Sequence, residues 1–315
     1  MSSILISFNA IVPLFLIIAV GYLIKRAGII GQTEVKRFNT ACFYTFMPVM
    51  LFYDVYNSDL TGGVLRPFYF IYTIGMLFLL TAATIVLVLK AEKDDSCRGV
   101  MIQAAFRSNF VLLGLPIATA LVGGGDVSFG VTALTIAIVV PLFNVMSVIV
   151  LETFRGGRVQ ARRIALNVIK NPLVIAGLGG LFLNLLGVEL PQFLMAFGAK
   201  MVSGCFAIAL FLLGAAFEFN FLTEYKKDLL IIIGLRLVIF PAVALSGAAL
   251  CGIRGVEFVT LIALFAAPCA INSFNMAMQM GGNKDLAASA VMTTSALSFF
   301  TLFIWITIFS LLGMF

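Results

Sequence analysis

Runs of about twenty residues with almost no charge recur along the whole chain, and each is long enough to cross the hydrocarbon core of a bilayer as a helix. Ten such runs are separated by polar loops: 4–25, 37–56, 67–90, 99–122 and 128–152 in the first half, and 171–187, 200–218, 228–251, 257–280 and 286–313 in the second. Pro191 to Lys200 reads as a short interfacial helix ahead of the seventh run. The chain is 62% hydrophobic and 11% charged, against about 45–50% and about 25% for a soluble domain. Most of its surface therefore needs lipid. The expected fold is an all-α membrane protein of ten transmembrane helices, with the lipid bilayer as its solvent.

Composition removes several function classes. There is no histidine, so His-based acid–base catalysis, Ser-His and Cys-His pairs and His-ligated metals are absent. The five cysteines, Cys42, Cys97, Cys205, Cys251 and Cys269, form no C-x-x-C pair. Four of them lie in apolar runs, where a cysteine packs as a small core residue. No catalytic residue, metal or cofactor is expected, and the chain does not read as an enzyme. No basic face lies on a soluble segment, so nucleic acid is not an expected partner. The first apolar run lacks a basic lead-in and an A-x-A-like site, and reads as a first helix and not as a signal peptide.

Loop charge sets the orientation. Fifteen of the 20 Lys and Arg fall in one set of loops, while the other side holds Arg66, Arg254 and Lys200. The rich side is expected to be cytoplasmic, which places both termini outside a cell membrane. The longest polar stretch, 154–170, then divides the chain into five-helix halves, 1–153 and 171–315. An odd number of spans per half sets the halves in opposite orientations, as an inverted repeat requires. The fourth run carries Gly114-Leu115-Pro116 and ends in Gly123-Gly124-Gly125-Asp126. The ninth carries Pro268 and ends in Gly281-Gly282-Asn283-Lys284-Asp285. Each Asp precedes the next apolar run as an N-cap would.

Prolines within the fourth and ninth runs are the main pointer to a site. A proline removes a backbone N–H and clashes with the preceding turn, and in lipid the freed carbonyls must find partners or line a cavity. Polar residues gather at both: Arg107, Ser108 and Asn109 before Pro116, and Asn272, Ser273 and Asn275 after Pro268, with Gln279 a turn on. Interrupted, crossing helices would aim their half-helix N-termini at one place, which suits an anion. Ordinary healed kinks are the other reading. Asn144, following Pro141, either joins the same cavity or makes an interhelical hydrogen bond. Arg107 and Arg236 lie about two turns inside their spans. Each either faces a cavity or partner or snorkels to the interface.

All 14 acids map to loops or span ends, including Asp54, Glu152 and Glu218. A midplane carboxylate, usual in a proton antiporter, is missing, which favours anionic or neutral cargo. Gly177, Gly179, Gly180, Gly214, Ala215 and Ala216 read as close helix packing or a dimer face.

The stretch Arg107-Ser108-Asn109-Phe110-Val111-Leu112-Leu113-Gly114-Leu115-Pro116 resembles the fourth-helix signature of the auxin efflux carrier family, which includes plant PIN proteins and bacterial malonate- and malate-type permeases. Arg37-Phe38-Asn39 through Met47-Pro48 to Phe52, Asn171-Pro172, Leu212-Leu213-Gly214-Ala215 and Ala267-Pro268 are similar to further family segments. The resemblance covers nearly the whole chain. It implies an NhaA-like fold in which the fourth and ninth helices are broken and cross at Pro116 and Pro268. Helices 1, 2, 6 and 7 would form a scaffold, expected to be homodimeric, and helices 3–5 and 8–10 a transport domain moving as an elevator. The long cytoplasmic loop of many plant members is missing, and Asn272 departs from the plant pattern. A small mono- or dicarboxylate therefore fits better than auxin. The expected function is secondary transport of a small organic anion, held by Arg107, Asn109, Gly114, Pro116, Asn144, Pro268, Asn272 and Asn275. The alternative is a sodium-coupled organic anion symporter of the bile-acid type.

Overall fold

A computed structural model describes residues 3–57, 66–122, 126–154, 166, 169–170, 172–215 and 225–315. Helix α1 spans Ser3–Arg26, α2 Gln32–Tyr44, α3 Phe46–Tyr56, α4 Pro67–Ala91, α5 Asp95–Phe106, α6 Leu115–Val122 and α7 Asp126–Phe154. In the second half α8 spans Pro172–Leu185, α9 Gln192–Ala215, α10 Lys226–Ile233, α11 Phe240–Leu250, α12 Gly255–Phe265, α13 Asn272–Gln279 and α14 Lys284–Leu311. Wider π turns join α6 to the chain before it (Phe110–Gly114) and α10 to α11 (Gly234–Ile239). No β-strand occurs among the described residues. Among the described residues, four continuous helical stretches are long and apolar enough to cross a membrane: Pro67–Ala91, Gly130–Phe154, Lys226–Leu250 and Lys284–Leu311. Large apolar side chains such as Leu16, Ile71, Phe182 and Phe300 face outward, as a lipid-solvated surface requires.

Local chemistry explains the element ends. The Asp94 carboxylate accepts from the Ser96 amide at 2.8 Å and caps α5. The α14 cap is Asn283, whose Oδ1 accepts from the amides of Asp285 (3.2 Å) and Leu286 (3.0 Å). Asp285, the expected cap, instead stands in the first turn, where a carboxylate faces the positive end of the helix dipole. The second apolar run breaks at Thr45 into α2 and α3. Pro48 lies three residues beyond, where its ring would strike the carbonyl one turn back. Pro191 to Lys200 forms no separate interfacial helix: α9 is continuous from Gln192. No proline or charge pair interrupts that run, and the exposed Lys200 is tolerated on its surface.

Glycines set the closest helix approaches. A Cβ on Gly21 of α1 would collide with the Phe211 carbonyl oxygen of α9, and one on Gly214 of α9 would collide with the Ile18 carbonyl oxygen of α1. The two backbones are therefore in direct contact, as small residues permit in lipid. Gly180 of α8 meets the Phe52 carbonyl of α3 in the same way, at 2.6 Å from the added Cβ. Helices α1, α3, α8 and α9 pack mainly on one another.

Candidate functional site

The fourth and ninth apolar runs are both interrupted, and the interruptions meet. Helix α5 ends at Phe106, and Arg107 and Asn109 take non-helical conformations before the π turn begins. Helix α12 ends at Phe265, and α13 starts at Asn272. Between them Ser108 and Cys269 form an isolated antiparallel bridge. The Asn109 amide donates to the Pro268 carbonyl at 2.8 Å, and the Ala270 amide donates to the Arg107 carbonyl at 3.0 Å. Each break thus satisfies backbone groups of the other, which lipid could not do.

The crossing lies at residues 107–109, and Pro116, expected at the crossing, sits in the first turn of α6. A proline clashes with the carbonyl one turn back. Here the preceding backbone relieves that clash by widening into a π turn, in which the Leu115 amide reaches the Phe110 carbonyl. Gly114 ends that turn, and a Cβ there would stand 2.5 Å from the Ala263 carbonyl oxygen of α12. Its lack of a side chain lets the two broken helices touch.

Two guanidiniums are buried beside the crossing. Arg236 is 1% exposed and does not snorkel. Its Nε donates to the carbonyl of Ala267 (2.7 Å). Nη1 donates to those of Ala105 (3.2 Å) and Phe106 (3.4 Å), and Nη2 to those of Leu264 (2.7 Å) and Phe265 (3.2 Å). Those of Ala105, Phe106, Leu264 and Phe265 are orphan carbonyls at the C-terminal ends of α5 and α12, where the helix dipole is negative, and that of Ala267 lies in the crossing segment. One side chain therefore ties both half-helices together. The π turn that carries Arg236 precedes Pro241, whose missing N–H frees the Leu237 carbonyl, and Trp305 Nε1 donates to that oxygen at 2.9 Å.

Arg107 is 5% exposed. Its Nη2 donates to Asn144 Oδ1 at 2.6 Å, and its Nη1 donates to Ser147 Oγ at 3.1 Å and to Met276 Sδ. Arg107 and Asn144 are thus in direct contact, and the Asn144 side chain makes a hydrogen bond between segments, one of the two readings the sequence left open for it. None of these partners is charged, and no acid among the described residues pairs with this guanidinium. Asn109 is buried, and its Nδ2 has no partner. Gln103 Oε1, Ser108 Oγ and Ser273 Oγ are likewise buried without one. Asn272 opens α13 and is partly buried. Asn275 lies in α13, but its side chain and that of Gln279 fall outside the described atoms.

Gln103, Ser147 and Met276 join this constellation although sequence reasoning did not select them. Helical spacing was the available signal. Gln103 lies four residues before Arg107, Ser147 three after Asn144, and Met276 four after Asn272, so each shares a face with a selected residue.

The sequence matches the model of the membrane transport protein family over residues 6–306. The chain is 24% identical over 303 residues to an uncharacterized transporter of Methanothermobacter thermautotrophicus, covering 95% of this chain and 97% of that protein. It is 22% identical over 311 residues to an uncharacterized transporter of Methanocaldococcus jannaschii, covering 96% and 98%. With a whole-chain family match, lipid-facing apolar helices and two broken helices joined inside the molecule, the chain belongs to the membrane transport protein family of auxin efflux carrier-like proteins.

Proposed function

We propose that the protein is a secondary transporter of small organic anions, with its substrate site at the crossing of the two broken helices. The observation that carries this reading is the buried Arg107 guanidinium, whose described partners are all neutral. A charge at depth is costly and is kept where it faces a cavity or a partner. The unpartnered Asn109 Nδ2 adds a donor beside it. The π turn and α13 start at the crossing, so their N-terminal ends, favourable to anions, belong to the same region. Arg107, Asn109, Asn144, Asn272 and Asn275 would hold the anion, with Gly114, Pro116 and Pro268 shaping the backbone around it.

The wider architecture follows the same reading. Residues 1–153 and 171–315 form inverted five-helix repeats joined by a cytoplasmic linker, with both termini outside the cell membrane. Helices α1, α3, α8 and α9, which pack mainly on one another, form the scaffold of a homodimer. Helix α2, the first part of the second run, belongs with them, and helices α4–α7 and α10–α14 move as a transport domain, in an elevator cycle of alternating access. A sodium-coupled symporter of the bile-acid type is the weaker alternative, because a cation at the crossing would lie near two buried guanidiniums.

The test is uptake of labelled malonate, malate and indole-3-acetate into proteoliposomes, with and without sodium, pH and voltage gradients. Saturable uptake of a small acid that is lost in Arg107→Gln and Asn109→Ala supports the site. Wild-type uptake in both folded variants would remove it, and a sodium requirement would shift the reading to the symporter.

A further inference from the structure

We propose that the Met276 thioether is a displaceable plug on the anion position, which an incoming carboxylate must push aside. This rests on the carrier reading above and concerns how the same site is gated.

Two donors converge on Met276 Sδ: Arg107 Nη1, and Gln103 Nε2 at 3.9 Å. Gln103 is fully buried, and its Oε1 has no partner. A thioether is an uncharged and weak acceptor, a poor match for a guanidinium buried among neutral groups. A carboxylate oxygen in the same place would be a charged and far better acceptor, and could take two guanidinium donors at once. The second guanidinium nitrogen is held by Asn144 at 2.6 Å, and Nη1 also donates to Ser147 Oγ at 3.1 Å, which fixes the fork and leaves the other Nη1 hydrogen turned toward the exchangeable partner.

The plug is built to move. Methionine is unbranched and adapts its shape readily. Met276 is only partly buried, and its helix begins directly after the crossing segment. The space it would vacate is that of one slim side chain. While the thioether sits on the donors, the site is competent only in the unplugged fraction, and apparent affinity falls by that fraction.

Equilibrium binding of labelled acetate, malonate and malate to the purified full-length protein in nanodiscs tests this, using wild type, Met276→Leu, Met276→Ala and Arg107→Gln. Leucine preserves volume and removes the acceptor, so a plug predicts that both Met276 variants bind a short acid about tenfold more tightly. A mere packing role predicts the reverse pattern: leucine neutral and alanine weaker. Unchanged or weakened binding in the folded Met276→Leu protein overturns the plug, and the alanine variant decides if the leucine variant fails to fold. No binding of any short acid by wild type or either Met276 variant overturns the carrier reading on which the plug rests. Wild-type binding in Arg107→Gln overturns the site itself, a separate failure.

Discussion

Arg236 Nη2 lies 2.7 Å from the carbonyl oxygen of Leu264, the very oxygen that Pro268, four residues on, leaves without a helical donor. The same guanidinium reaches the end of α5 through Ala105 and Phe106. Replacing Arg236 by methionine keeps the bulk and strands these carbonyls in a buried, water-poor place. We expect a loss of about 3 kcal/mol or more, read as a lower unfolding temperature in detergent. Lysine, with one compact donor head, should recover only part of it.

Trp305 plays the matching part at Pro241. Its indole N–H holds the Leu237 carbonyl at 2.9 Å, so Trp305→Phe removes the donor and keeps most of the ring. The expected cost is about 1–2 kcal/mol. Because Leu237 follows Arg236 in the π turn, that turn should also loosen. Hydrogen exchange across 234–241 should rise in the variant, and an unchanged rate would contradict this role.

Gly114→Ala should separate the crossing helices. The added carbon would meet the Ala263 carbonyl oxygen at 2.5 Å and the Phe110 ring at 2.9 Å, and neither the backbone nor a buried ring has room to withdraw. Overpacking of this kind costs about 1–3 kcal/mol. Transport should fall at least about tenfold in protein that still purifies as folded. Wild-type uptake rates would show that the contact does not matter.

Acid should loosen the turn between α4 and α5. The Glu92 carboxylate accepts from the Asp94 and Lys93 amides, and the Asp94 carboxylate from Ser96; these hydrogen bonds hold both groups below their usual range. A depressed folded value stabilises the turn above the unfolded carboxylate range, and that support is lost as the pH falls through the folded value. Exchange of the Ser96 and Cys97 amides should therefore accelerate on acidification below the ordinary carboxylate range. Asp94→Asn should flatten that dependence while keeping part of the cap.

The long helices were legible in the sequence because lipid demands uninterrupted apolar runs, and little else produces α4 or α14. The approximate place of the polar residues was legible for the same reason: Arg107, Asn109 and Asn144 stand out against apolar neighbours. The point of crossing was not. Proline marks where an N–H is missing, but a helix breaks where a distant segment can replace its bonds, and the groups that bridge to the Arg107 carbonyl and the Asn109 amide belong to Ala270 and Pro268. Arg236 was visible as a buried cation, yet its role depends on carbonyls from two other helices. Met276 carried no polar signal and enters only through helical spacing and contact.

The bridge between Ser108 and Cys269 also bears on biogenesis. A ribosome delivers the first half to the membrane long before Pro268 and Ala270 exist, so the amide of Asn109 and the carbonyl of Arg107 wait for partners not yet made. Arg236, which holds the end of α5, is absent as well. The centre of the molecule therefore closes late, after nearly all spans have been inserted. Neither half made alone can complete it, and the two expressed as separate polypeptides should acquire protease resistance only when they are produced together.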